Sequence, residues 1–230
     1  MNINFLQWDS DFFKKKIGEI SLNKKENINF NDEYDLIVVK QSSDFDVDLE
    51  GYNLIFQETK VNFIKTLDDV NDSVYDIIQD TDHNEKSVDF FKGLAYESGK
   101  MSRFLLDPAF GEAKFKELYD MWIINSLNKK FAVKTFFIEE ANEAIGFVTV
   151  QKYDTLGKIG LIATHPDFQG KGFGKKLLKT AEDFCIKNGI THLEIPTQKE
   201  NTQACAFYEK QGYTIKDEII IKHYWKNDSL

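Results

Sequence analysis

Between Ile159 and Lys179 the chain reads as an apolar strand, a short loop, a run of glycines and the start of a basic helix. Few backbones accommodate that order. Gly170, Gly172 and Gly174 allow tight turning and close approach to a ligand, and the helical turn that follows carries N–H groups with no partner inside the helix. With the helix dipole, these groups make an anion cradle. Two familiar phosphate loops do not fit. The Walker loop needs Ser or Thr after Gly-Lys, and here Gly174-Lys175 is followed by Lys176. The dinucleotide fingerprint needs G-x-G-x-x-G directly after a strand; here the spacing is G-x-G-x-G, and Pro166 and Asp167 intervene. What remains is Gln169-x-x-Gly172-x-Gly174 opening a helix.

Charge supports the cradle. The whole chain is acidic, with a net charge of −9 over 230 residues, which argues against nonspecific nucleic-acid binding. Around the glycines the sign reverses: Asp167 stands against Lys171, Lys175, Lys176 and Lys179. Part of that lysine excess suits an ordinary solvated helix face, so the loop carries more weight than the lysines. Arg103 is the sole arginine in a chain that otherwise uses lysine. A bidentate site for a diphosphate or carboxylate and a buried ion pair explain it equally well.

A hydrophobic content of 42% suits a folded globular chain long enough to bury a core. No apolar run reaches the length of a membrane span, and Met1 to Phe5 show no basic region ahead of an apolar stretch, so no signal peptide is expected. Cys185 and Cys205 make no disulfide framework, and a reducing cytoplasm is the expected setting. No metal is expected.

Hydrophobic patterning predicts strands over residues 17–22, 34–39, 52–57 and 60–66, an acidic linker over 68–89 holding a short apolar stretch at 74–78, and a helix over 87–98 stopped by Gly99. A second unit begins near Lys100. It reads as a helix ending near Leu127, strands over 131–139, 144–152 and 158–164, a helix over 175–187, a strand over 192–196, a helix over 202–211, and a last strand or pair over 214–225. Two units are therefore expected, residues 1–99 and 100–230. The last strand is expected to leave an edge on which a second copy of the chain, as a homodimer, would pair.

In the run from Thr197 to Tyr213, Asn201, Cys205 and Tyr208 are spaced by four and three residues, so one helical face holds all three. This run and the Gln169 to Gly174 loop, with their order of elements, resemble the GNAT superfamily of N-acetyltransferases. The resemblance implies an α/β fold: a C-terminal GNAT fold, with a mixed, mostly antiparallel sheet and flanking helices, beside a smaller N-terminal α/β domain. It implies acetyl-CoA as co-substrate, with its pyrophosphate on Gln169, Gly170, Lys171, Gly172, Phe173, Gly174 and Lys175. It places the pantetheine arm along Ile162, Ala163 and Thr164, where a bulge splays the strand and frees a backbone N–H, and beside Asn201. It makes Tyr208 the group next to the thioester sulfur. A phenol suits that role, because aminolysis of a thioester expels a thiolate that needs a proton. Cys205, with no histidine near it in sequence, is expected to pack rather than carry an acyl group.

The motifs Leu6 to Phe13, Ser102-Arg103-Phe104, Trp122 to Leu127, Thr197-Gln198 and His223-Tyr224-Trp225 resemble a narrower group in their common order. That group, the dTDP-fucosamine acetyltransferases, acetylates the 4-amino group of dTDP-4-amino-4,6-dideoxy-D-galactose. The resemblance implies a dTDP-amino sugar acceptor approached from the N-terminal unit, with Trp8, Phe12 and Arg103 as its candidate contacts. Residues 23–60 match no pattern, and the acceptor's base is unassigned among Glu58, Asp9, Asp11 and a water chain. Another small amine, a protein N-terminus, or a non-catalytic acyl-CoA sensor stay open as alternatives.

Overall fold

The computed structural model describes residues 2–25, 28, 33–68 and 76–227. One ten-stranded sheet runs through the described chain in the order β1-β2-β3-β10-β4-β9-β8-β7-β6-β5. The strands are β1 (Asn4–Phe5), β2 (Ile17–Leu22), β3 (Leu36–Gln41), β4 (Tyr52–Thr66), β5 (Ile78–Asp80), β6 (Lys134–Glu140), β7 (Glu143–Tyr153), β8 (Leu156–Thr164), β9 (His192–Gln198) and β10 (Thr214–Lys226). The helices are α1 (Gln7–Phe13), α2 (Val88–Gly99), α3 (Arg103–Leu106), α4 (Glu112–Leu127), α5 (Phe173–Lys187) and α6 (Thr202–Lys210). β2 with β3 and β8 with β9 are parallel, and the other neighbours are antiparallel. This mixed sheet with helices on both faces is the expected architecture.

Both faces are covered, so the interior strands are apolar on both sides. Leu36 to Val39 of β3 are all buried. On one face Leu36, Val38, Trp225, Leu161 and Ala163 pack with Phe13, Phe91, Leu118 and Ile123, from α1, α2 and α4. On the other, Val61, Phe63, Val148, Val150 and Ile195 pack with Leu177, Leu178, Ala181 and Cys185 of α5 and with Tyr208 of α6. The first face is tied down by Asp107, fully buried after α3. Its carboxylate accepts from His223 Nδ1 at 2.6 Å, Trp225 Nε1 at 2.9 Å and the Ala109 N–H at 3.0 Å.

Several expectations need correction. The segments 52–57 and 60–66 are one continuous strand of 15 residues, because β4 is paired along its length with β10 and then with β9. β10 is also a single strand, and it lies between β3 and β4, so it offers no edge to a second copy. Two helices carried no clear sequence pattern: α1, of seven residues, and α3, of four. In the expected linker, residues 69–75 lie outside the described residues, while Ile78–Asp80 forms β5 on β6. The sheet does not break at residues 99–100: β4 sits inside it, between β10 and β9.

Candidate active site

β8 and β9 are paired only at Leu156–Lys158 against His192–Glu194. Beyond Lys158 they part, and both lips of the gap line one cleft of about 1110 Å³. A register shift on the other side of β8 accompanies the opening. Val148 pairs with Ile162 but Val150 with Ile159, so β8 holds one extra residue. The extra residue turns the strand over: Ile159 packs on the α5 face, whereas Leu161, of the same parity, packs on the α2 face. The buried Thr149 hydroxyl fills the ladder defect by accepting the Leu161 N–H at 2.8 Å.

Past the bulge the ladder to β7 resumes, with Ile162, Ala163 and Thr164 opposite Val148, Phe147 and Gly146. The His165 N–H donates to the Ile145 carbonyl at 2.8 Å. Alternation along an antiparallel pair then turns the N–H groups of Ile162 and Thr164 away from β7, toward the gap. Ile162, Ala163 and Thr164 all line the cleft.

The glycine loop closes one end. Gly170 and Gly172 have φ of +75° and +83°, which other residues adopt at a cost, and a Cβ at either meets nothing within 4 Å. Gly172 precedes α5 with no side-chain cap, and the first turn holds no acid. The leading N–H groups of α5, with Lys175 beside them, therefore face the cleft at a positive helix end. This is the chemistry an anionic diphosphate requires, so the chain's own residues fit acetyl-CoA. Gly170, Gly172, Phe173, Gly174 and Lys175 line the cleft; Lys171 does not, and its ammonium lies over the Phe168 ring at 4.6 Å. Gln169 faces inward but is engaged, donating to the Thr164 carbonyl at 3.1 Å and to Glu97 at 3.2 Å. It latches the loop to β8 and α2.

Asn201 and Tyr208 line the opposite lip. Asn201 caps α6, its Oδ1 accepting the Ala204 N–H at 3.2 Å. Tyr208 is buried between Phe63 and Tyr213, and burial raises its pKa, keeping the phenol protonated. Cys205 does not line the cleft; it packs beside the α5-side core, and its thiol, raised by burial, donates to the Gln198 carbonyl at 3.4 Å.

The far end of the cleft is built by α1, β4, α3 and α4. Trp8, Asp9, Glu58, Lys60, Ser102, Arg103 and Tyr119 meet there. Phe12 does not reach it and instead stacks under Trp8, with ring centroids 5.3 Å apart. Arg103 stacks over the Phe104 ring at 4.7 Å, and its Nη1 lies 3.8 Å from Glu58 Oε1. Glu58 is 4% exposed, and its Oε2 is buried without a hydrogen-bond partner. Burial pushes its pKa from 4.5 up to about 7, against the opposing pull of Arg103. A carboxylate poised near neutrality with an unpaired oxygen, in a cleft, is a proton acceptor in waiting. The sequence named Glu58 only as one acid among several. The signal that singles it out is its burial at mid-sheet, which follows from where β4 is threaded. Asp9, half-buried in the same place, is also raised by burial.

Residues 101–213 match the model of the acetyltransferase (GNAT) family. The chain is 27% identical over 76% of its length to a dTDP-fucosamine acetyltransferase of Escherichia coli O6:H1, covering 71% of that protein. It is also 27% identical over 57% of its length to the spore coat polysaccharide biosynthesis protein SpsD of Bacillus subtilis, but covers only 45% of that relative. Among solved structures, a GNAT-family putative acetyltransferase from Novosphingobium aromaticivorans superposes with a TM-score of 0.58 over 84% of this chain and 75% of its own, at 13% identity.

Proposed function

The chain carries a GNAT acetyltransferase domain, and we propose that it moves acetyl from acetyl-CoA to the amine of a nucleotide-linked amino sugar, dTDP-4-amino-4,6-dideoxy-D-galactose or a close analogue. The observation that carries this reading is the single cleft. An uncapped glycine loop stands at one end, a strand gap runs through the middle, and a buried carboxylate with one oxygen free of hydrogen bonds stands at the other. An anionic thioester and an amine meet in that arrangement.

The chain's own groups divide the chemistry. Gly170, Gly172 and the first turn of α5 hold the cofactor's diphosphate, and Ile162, Ala163, Thr164 and Asn201 line the arm. The amine loses its proton to Glu58 as its nitrogen attacks the acetyl carbonyl. An N–H of Ile162 or Thr164 donates to the oxyanion that develops. Collapse expels the thiolate, which takes its proton from the Tyr208 hydroxyl. Trp8 and Arg103 belong to the acceptor side, Trp8 by offering a flat ring for a nucleobase and Arg103 by holding Glu58 in a chargeable state. The acceptor would reach the cleft across residues 1–99, whose strand β4 contributes Glu58.

The test is thiol release from acetyl-CoA with a panel of dTDP- and UDP-linked 3-amino and 4-amino sugars. Rapid release with a dTDP-4-amino-6-deoxyhexose is expected. Silence across the panel with intact acetyl-CoA binding would overturn the acceptor class and leave the cofactor site in place.

A further inference from the structure

We infer that Lys60 and Lys158 form a second anion site, distinct from the glycine loop, that takes a phosphate group of the acceptor. The inference deepens the proposed function and rests on it for the identity of the acceptor.

Both lysines line the cleft and are half-buried. Lys60 follows Glu58 by two residues on β4, so the two side chains share one face. Lys158 lies on β8 at the last paired step before the strands part, opposite Glu194 of β9. The glycine loop lies beyond the other end of β8, about 20 Å away at the usual rise per residue. One diphosphate cannot touch both places.

Apart from Asp9, the nearby acids have partners of their own. Glu194 pairs with Lys216, Glu218 with Lys199 at 3.0 Å and Glu97 with Lys100 at 2.6 Å. Glu200 accepts the Thr59 N–H at 3.1 Å, and Glu58 faces Arg103. Among the described residues, neither Lys60 nor Lys158 has a carboxylate within 4 Å or a side-chain hydrogen bond. Lys40, the other nearby cation, is taken by Glu19 at 2.6 Å. Burial lowers the Lys60 pKa, and Lys158, Arg103 and Lys40 push it the same way, against a smaller opposing pull from Glu58. A protein of net charge −9 thus holds two cations without a direct ion-pair partner, among the described residues, in this cleft. Half-buried ammonium groups without a counter-ion are unfavourable, and a ligand anion relieves them.

The spacing suits the chemistry. A step of two residues along a strand is about 7 Å. That is comparable to the width of one pyranose ring, with an amine at Glu58 on one side and an anomeric phosphate at Lys60 on the other. Lys158 would then meet the second phosphate.

The experiment is calorimetric titration of inorganic pyrophosphate, and separately of dTDP, into protein saturated with CoA, so that the glycine loop is occupied. Wild type, Lys60→Gln, Lys158→Gln and the double variant are compared, with Lys60→Arg and Lys158→Arg as charge-keeping controls. Each glutamine variant is expected to weaken pyrophosphate about tenfold, the double variant further, and the arginine variants little. Equal binding by a correctly folded double variant, or no binding by CoA-saturated wild type, would overturn the site. The thiol-release panel separates this inference from the proposed function. Lysine-dependent binding without turnover of any nucleotide sugar keeps the site and removes the acceptor class. Turnover with unchanged binding in the double variant does the reverse.

Discussion

In the proposed mechanism Glu58 and Tyr208 divide the proton traffic, and each makes a separate prediction. Glu58→Gln removes the acceptor of the amine proton and is expected to lower kcat by about 10²–10⁴-fold, the usual worth of a general base. In wild type, kcat/KM should rise with pH through an acid limb near pH 7, because only the ionised carboxylate accepts a proton. Arg103→Gln removes the charge that favours ionisation, so the limb should move to higher pH. A wild-type limb near pH 4.5 would show Glu58 to be solvated or idle. The same shift acts on stability. The folded-state pKa of Glu58 is raised above its ordinary 4.5, so the folded chain binds the extra proton between about 4.5 and 7. The Glu58 contribution to stability is therefore lost as pH rises through that window. At pH 8 Glu58→Gln should unfold later than wild type, by an amount on the order of 1–3 kcal/mol, while at pH 4 the two should agree. Denaturant melts at both values check the sign. Tyr208→Phe should lower kcat with acetyl-CoA affinity unchanged, since the ring still packs against Phe63 and only the hydroxyl is lost; equal turnover would remove Tyr208 from the mechanism.

The glycine loop with α5, and the bulged strand β8, shape the half of the cleft proposed for the cofactor by different means. At Gly172, φ of +83° makes any side chain strained, by about 1–2 kcal/mol for the left-handed conformation. Gly172→Ala adds only that strain, since a Cβ meets no atom within 4 Å. Gly172→Asp adds a negative charge at the positive end of α5. CoA affinity should fall modestly in the first and at least about tenfold more in the second, as a charge-assisted contact predicts. Equal affinities would sink the cradle. In β8 the bulge depends on Thr149. Thr149→Val keeps the shape but leaves the buried Leu161 N–H without its acceptor, which should cost about 1–3 kcal/mol; Thr149→Ser should restore most of it. What the sequence made legible follows the same division. The loop, α5, β8 and α6 are local patterns, and their strand, helix and glycine signals lie within about fifty residues. Glu58 was not legible as a base, because nothing near it in sequence reports burial. For the same reason the sequence offers a ligand contact and an ion pair equally for Arg103. The family resemblance puts Lys171 in the cradle, yet a lysine stem is long enough to lie over Phe168 instead.

The sheet itself was the least legible feature, since its central pairing joins the two ends of the chain. β10 pairs with β4 from Thr214 opposite Ile64 to Lys226 opposite Tyr52, and with β3 from Ile220 to Trp225. No local pattern announces partners so far apart in sequence, and the second run of elements that starts near Lys100 reads as a new unit although the sheet crosses that point. The consequence is testable. A fragment of residues 100–230 keeps α5, α6 and β6 to β10 but loses β4, the strand that bridges β9 and β10. Val61 and Phe63 would vanish from the core under α5 and α6, and β6, β9 and β10 would expose unpaired edges. The fragment is expected to aggregate or to lack cooperative unfolding when expressed alone, and to become soluble when residues 1–99 are supplied as a separate chain. Calorimetry and size-exclusion of the fragment, alone and co-expressed, decide it. A fragment that melts cooperatively by itself would mean that residues 1–99 dock onto a finished core. A fragment rescued only by its partner would mean that β4, and with it Glu58, is laid into the sheet as the sheet forms. The acceptor's base and the floor of the cofactor cleft would then be products of one folding event.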